Sequence, residues 1–209
     1  ECMQNDIRTR WKDSSLAADV DMLQQHVTRL AELTTSLLRF ARDDQQDAGT
    51  IALDMLAENT AALLRRTFAT HQVRLEVTVE PPVPVVVGYE KAIETVIVNL
   101  LLNAADATPP DGTVTLTVRG STGGGAAEIE VRDTGAGIPR ALRERVFEPF
   151  FTTKEVGHGT GLGLTVCRSI VDRHGGSIRL DSPSCGGCRF VVTIPLQAVG
   201  ATWKEPAYS

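Results

Sequence analysis

Between residues 99 and 163 the chain gathers side-chain types that bind metal, phosphate and a heterocycle. Asn99-Leu-Leu-Leu-Asn103-Ala-Ala-Asp106 sets two amides and a carboxylate at i, i+4 and i+7 of an apolar run, so on a helix they share one face. Polar groups aligned on a greasy helix need partners. An amide oxygen is a hard ligand suited to Mg²⁺, which keeps several waters and takes phosphate oxygens; the same groups can equally bond neighbouring backbone. Asp133-Thr-Gly135-Ala-Gly137-Ile138-Pro139 follows at a predicted strand end. A carboxylate there can accept a hydrogen bond from the exocyclic amine of adenine, and the glycines let backbone approach a ring closely. A tight turn with an N-cap aspartate would use the same residues. Then Phe147-Glu-Pro-Phe150-Phe151-Thr-Thr-Lys154 leads to Gly157-His158-Gly159-Thr160-Gly161-Leu162-Gly163, which opens into a helix. Amides at a helix N-terminus attract anions, Lys154 can add a point charge, and Phe147, Phe150 and Phe151 can anchor a mobile lid. The plainer alternative is a flexible loop with a hydrophobic pin.

These residues need a scaffold, and hydrophobic periodicity outlines one. Leu53 to Thr70 reads as a helix. Val73 to Val79 alternates as a strand, and prolines 81, 82 and 84 mark a turn before a short strand from Val85 to Val87. Lys91 to Ala107 is a strongly apolar helix stopped by Pro109-Pro110-Asp111-Gly112. Val114 to Arg119 and Glu128 to Asp133 form a hairpin, as do Ser177 to Asp181 and Arg189 to Pro195 after a helix from Leu162 to Arg173. The expected fold is an α/β sandwich: a mixed, mainly antiparallel sheet with helices on one face. Ahead of it, Leu16, Val20, Leu23, Val27, Leu30, Thr34, Leu37 and Ala41 alternate spacings of four and three, with His26, Leu33 and Phe40 flanking. That pattern suits one helix of a four-helix bundle, which must find partners to bury its face. The division is a helical region at 1–43, a linker at 44–49, a sandwich at 50–196 and a tail at 197–209.

Composition excludes several classes. The 209 residues carry a formal charge of −5, against the basic balance of nucleic-acid binders. No stretch approaches about 20 apolar residues, so membrane contact is not expected in this segment. Four cysteines without a dense framework point to a reducing compartment. The absence of an initial Met fits a piece of something longer.

Together, in this order, the motifs resemble the N, G1, F and G2 boxes of the GHKL ATPase superfamily. The likeness is nearest to sensor histidine kinases of the nitrogen-regulation and oxygen-sensing type, and it covers residues 14–196. The resemblance implies a Bergerat-type pocket for ATP and Mg²⁺. Asn103 would hold the metal, Asn99 would support it or the phosphates, Asp106 would be a further cofactor-binding residue, and Asp133 would read adenine. Gly135, Gly137 and Ile138 would shape the pocket. Gly159, Thr160, Gly161 and Gly163 would close on the phosphates, and Phe150, Lys154, Gly157, His158 and Leu162 would be further cofactor-binding residues of that loop. Leu37 to Arg42 would end the second helix of a dimerisation and phosphotransfer hairpin. The implied partners are a second copy, through the N-terminal helices, and a response regulator receiver domain; the implied location is the cytoplasm of a bacterium. Related topoisomerase and mismatch-repair ATPases place a glutamate at the position of Asn99. An amide cannot act as a general base, so transfer to a nucleophile is favoured over hydrolysis. A nucleotide-binding pseudokinase and an anti-sigma-type serine kinase are the rival readings.

Some residues depart from the pattern. No His-Glu/Asp…Asn-Pro acceptor box occurs; the four histidines are His26, His71, His158 and His174. His26 fits a flank of the bundle stripe, His158 lies in the lid, and His71 and His174, near helix ends, are expected at the surface. Tyr89 stands where an N-cap aspartate is common and cannot cap as one. Cys185-Gly-Gly-Cys188 lacks the second ligand pair of a zinc site; it is either inert or a reversible disulfide. Cys167 reads as core.

Overall fold

The structure is a computed structural model that describes residues 48–154, 159–182 and 186–196. The bundle helix, His26, Gly157, His158, Cys185 and the tail lie outside the described residues.

Ten regular elements follow one another: β1 (Gly49–Ile51), α1 (Leu53–Thr70), β2 (Arg74–Glu80), β3 (Val86–Gly88), α2 (Glu90–Ala107), β4 (Thr113–Gly120), β5 (Ala126–Asp133), α3 (Gly163–Arg173), β6 (Ser177–Asp181) and β7 (Arg189–Pro195). Two short 3₁₀ turns, Arg140–Leu142 and Arg145–Phe147, lie between β5 and α3. The main sheet has the order β2-β4-β5-β7-β6. Only β2 and β4 run parallel; the other neighbours are antiparallel.

Alternation decides which face of the sheet is covered. Val114, Leu116 and Val118 of β4, Ala127, Ile129 and Val131 of β5, and Val192 and Ile194 of β7 are all buried, at i, i+2 spacing toward the helices. Helix α2 is the centre of the core. Ile93, Val96, Ile97, Leu100 and Leu101 are fully buried, following the 3.6-residue period. Burial at about 25 cal/mol per Å² is what holds this helix against the sheet. The opposite sheet face is closed by ion pairs: the guanidinium of Arg119 meets Glu128 and Glu130, and Arg189 reaches Glu130 and Asp181. Burial pushes the Glu130 carboxyl up, but its bonds from Arg189 and Arg119 outweigh this and hold it below its usual value.

The mixed sandwich is as expected, with two differences of detail. Gly49, read as the end of a linker, begins β1, which pairs antiparallel with β3 at Gly49↔Gly88. That pair joins residues far apart in sequence, so local periodicity is blind to it. His174 is a larger correction, since it is buried, only 1% exposed. Its Nδ1 lies 2.7 Å from the Ile170 carbonyl and its Nε2 accepts the Tyr89 amide at 3.0 Å. The proton therefore sits on Nδ1. Tyr89 makes no side-chain cap on α2; its backbone amide is satisfied by this imidazole instead. A Cβ at Gly88 would fall 2.5 Å from the His174 ring, so glycine is what admits the histidine. His71 is half-exposed, as expected.

Candidate nucleotide site

Helix α2 presents Asn99, Asn103 and Asp106 away from its buried stripe. The Asn99 Nδ2 donates to the Thr95 carbonyl at 2.9 Å, which fixes the amide and turns Oδ1 toward α3. A Cβ built on Gly163 would lie 3.0 Å from that oxygen and 3.8 Å from the Asn103 Nδ2. Glycine at the first position of α3 thus lets the helix N-terminus come against both amides. The preceding residue, Leu162, gives no side-chain cap, so the first amides of α3 keep their donor capacity. Asn103 is half-buried, and its side chain hydrogen-bonds to no other described residue. An unengaged hard oxygen beside an anion-attracting helix end fits a divalent ion that bridges to phosphate. No cluster of three His, Cys, Asp or Glu side chains that could cage a metal occurs among the described residues. Most ligands of such an ion would therefore be phosphate and water.

Asp133 ends β5 on the helix side of the sheet and is 4% exposed. Its Oδ1 accepts two amides, Gly135 at 2.8 Å and Cys188 at 3.1 Å. No described residue engages Oδ2. Burial raises the carboxyl above its ordinary value, and the two amides oppose this. Gly135 packs under the end of α2, where a Cβ would meet the Ala107 carbonyl at 2.3 Å, and its own carbonyl accepts the Gly187 amide at 2.7 Å. Gly137 has φ +78, a conformation L side chains avoid. Ile138 is held by a girdle the motif does not show. Its amide donates to Ser182 Oγ at 3.3 Å, and its carbonyl accepts from Arg143 Nε at 3.2 Å. Ser182, Cys188 and Arg143 were missed by sequence reasoning. For Cys188 the signal is the pairing of β5 with β7, which ends at Arg132↔Arg189 and so sets it beside Asp133.

The lid segment is pinned at both ends. Phe147 is buried and stands edge-on to Phe190, with centroids 6.4 Å apart; its carbonyl accepts from Thr165 Oγ1. Phe151 is half-buried against the core. Phe150 does not join them: it is 66% exposed with φ +65, a correction to the three-ring cluster. Its amide donates to the Gly161 carbonyl at 3.0 Å, and a Cβ at Gly161 would lie 2.4 Å from the Phe150 carbonyl carbon. The outgoing and returning limbs are thus crossed at Gly161. Gly159 abuts Thr152 Oγ1, which also accepts the Lys154 amide, and Thr160 Oγ1 accepts the Leu162 amide. Lys154 Nζ pairs with Asp106, tying the lid to α2, and His71 Nε2 is 3.8 Å from the same carboxylate. Cys188 is a buried free thiol pushed up to about 11 by burial and the nearby Asp133 charge. Cys167, also buried and free, is pushed up to about 12 by burial. No helix among the described residues is long and apolar enough to cross a membrane.

Gly135, packed against the Ala107 carbonyl, links the strand-end carboxylate to the end of α2, and the Lys154–Asp106 pair links the glycine-crossed lid to the same helix. Residues 88–198 match the family of histidine kinase-, DNA gyrase B- and HSP90-like ATPases. The chain is 36% identical over 192 residues to the sensor kinase CckA of Brucella abortus, covering 85% of this chain and 20% of that protein. It is 29% identical over 185 residues to the sensor histidine kinase ZraS of Escherichia coli K12, covering 88% of this chain and 38% of that protein. The chain thus spans well under half the length of these relatives. The solved catalytic domain of histidine kinase ThkA is 30% identical with a TM-score of 0.64, over 72% of this chain and 99% of that one. By family model and by these relatives together, the chain belongs to the histidine kinase-, DNA gyrase B- and HSP90-like ATPases, as a sensor histidine kinase catalytic domain.

Proposed function

We propose that this chain is the ATP-binding catalytic region of a two-component sensor kinase, of the nitrogen-regulation and oxygen-sensing kind. It moves the γ-phosphoryl of ATP to a histidine, from which a receiver-domain aspartate takes it. The observation that carries this reading is the meeting of Asn99, Asn103 and the α3 N-terminus at Gly163. Phosphate-seeking amides and a hard amide oxygen converge there without any carboxylate to serve as a base at position 99. Asn103 would hold Mg²⁺, which when bound neutralises charge on the phosphate oxygens. The protein's own residues supply position and charge. Asp133 accepts the adenine amine through Oδ2, Gly135 and Gly137 admit the ring, and the α3 amides, Thr160 and Lys154 face the phosphates. Asn99 cannot remove a proton from water, so hydrolysis is slow and the phosphoryl waits for a better nucleophile. Gly157 and His158 belong to the same lid in this reading. The region at 1–43 dimerises, and the chain works in the bacterial cytoplasm. ThkA has been solved in complex with the response regulator protein TrrA, which supports a receiver domain as partner here.

The test is incubation with Mg²⁺ and γ-labelled ATP, alone and with a supplied helical hairpin that carries a His-Glu…Asn-Pro box. The expected result is label on the hairpin that survives alkali and is lost in acid. Acid-stable label on serine would instead identify a serine kinase. Tight ATP binding with no transfer to any acceptor would identify a pseudokinase.

A further inference from the structure

A second concave region lies outside the nucleotide site. It is a cleft of about 590 Å³ between the two 3₁₀ turns, α3 and β6. None of Asn99, Asn103, Asp106, Asp133 or the glycine loop lines it. Five arginines do, Arg140, Arg143, Arg145, Arg168 and Arg179, against the single carboxylate of Glu144. This concentration stands out in a chain of formal charge −5.

Among the described residues the arginines find little neutralising charge. Arg140, Arg168 and Arg179 form no ion pair with a described residue. Arg143 gives its bonds to the backbone carbonyls of Ile138 and Ser182, and no carboxylate of a described residue pairs with it. Arg145 meets Glu148 only at 3.6 Å, and both side chains are more than half exposed. Crowded like charges repel, and an anion relieves that repulsion. Two of the guanidinium groups are also held in place: Arg168 stacks 4.7 Å over Phe147 and Arg145 stacks 4.6 Å over Phe151. A stacked guanidinium keeps its planar fork of donors for a phosphate and loses less entropy on binding.

We propose that this cleft is a second anion site, which takes a small ligand bearing two or more phosphoryl groups. Its volume is in the range of small-molecule sites, about 300–1,000 Å³, whereas a docking face for a protein is flatter and larger. Forked donors from the two 3₁₀ turns, α3 and β6 match several phosphoryl groups better than one. The site is coupled to the lid through Phe147, which lies under Arg168 and is bonded to Thr165 through its carbonyl.

The probe is inorganic tripolyphosphate, titrated calorimetrically into the whole chain and two variants. Arg140→Gln with Arg179→Gln removes two exposed charges that hold no described partner, so folding is retained; a thermal melt checks this. Asn103→Ala disables the nucleotide site. The expected result is a double dissociation. The arginine variant loses about tenfold or more in tripolyphosphate affinity and binds Mg-ATP as the parent does, while Asn103→Ala loses Mg-ATP and keeps tripolyphosphate. Equal tripolyphosphate affinity in parent and arginine variant overturns the proposal. So does loss of tripolyphosphate binding in Asn103→Ala, which would place the anion in the nucleotide pocket. An oligoglutamate peptide that binds through the same arginines more tightly than tripolyphosphate overturns the small ligand in favour of an acidic protein segment.

Discussion

Replacing Asp133 by asparagine exchanges one oxygen for an amino group and little else. The structure settles which one. Oδ1 is already the acceptor of two amides, at 2.8 and 3.1 Å, so the asparagine carbonyl keeps that place and its amino group takes the position of Oδ2. In the proposed pocket a donor then faces the adenine amine, itself a donor. The variant loses a charge-assisted hydrogen bond of about 1.5–3 kcal/mol, or about 10- to 150-fold in ATP affinity at roughly 1.4 kcal/mol per decade. Guanine carries a carbonyl where adenine carries the amine, so GTP gains an acceptor for the new donor. Calorimetric titration of both nucleotides into parent and variant reads the ratio. Stability moves the other way. A carboxyl raised in the folded state binds its proton more tightly there, so ionised Asp133 lowers stability at neutral pH, and the penalty lifts as pH falls through the raised value. Asparagine is free of that penalty, and the melting temperature at neutral pH does not drop. In the parent, ATP affinity declines on acidification at a higher pH than an ordinary aspartate would give, and the variant lacks this component. An unchanged preference for ATP over GTP would refute the assignment of Oδ2 to adenine.

Asn103→Ala should abolish the gain in ATP affinity that Mg²⁺ confers; superimposable titrations with the parent in Mg²⁺ would sink the metal assignment. His174→Ala opens a cavity and strands the Tyr89 amide, costing about 2–4 kcal/mol; at about 2–4 °C per kcal/mol the melting temperature falls by about 4–16 °C, and a shift under a degree would contradict the clasp. With its thiol pushed up to about 11, native Cys188 is about a hundredfold poorer in thiolate at pH 8 than an ordinary cysteine. Peptide-resolved alkylation should therefore be slow until denaturant is added, and rapid labelling of the native chain would count against its burial.

The elements were legible because their periods are strong. The helix from Leu53 to Thr70 and the strands Ser177 to Asp181 and Arg189 to Pro195 match their observed bounds, and α2 pairs a full apolar stripe with a Pro-Pro stop. The chemistry of the site was legible where residues are close in sequence, as in Asn99 and Asn103. What escaped the sequence depends on distant pairing. Cys188 reaches Asp133 only through the β5–β7 register, His174 meets Tyr89 across 85 positions, and β1 exists only because Val86–Gly88 lies beside it. The exposure of Phe150 also escaped, because a run of aromatic residues reads as one cluster until the backbone at φ +65 turns one ring outward.

Helix α3 touches the nucleotide region with its first residue and grips Gly88 and Tyr89 with the histidine that follows its last. Eleven residues at about 1.5 Å each make it a connecting rod roughly 16 Å long. Its far end bears on the β1–β3 pair, where the described chain enters the sandwich. One helix therefore carries contacts to both places: the amides of α2 at its Gly163 end and the β1–β3 pair at its His174 end.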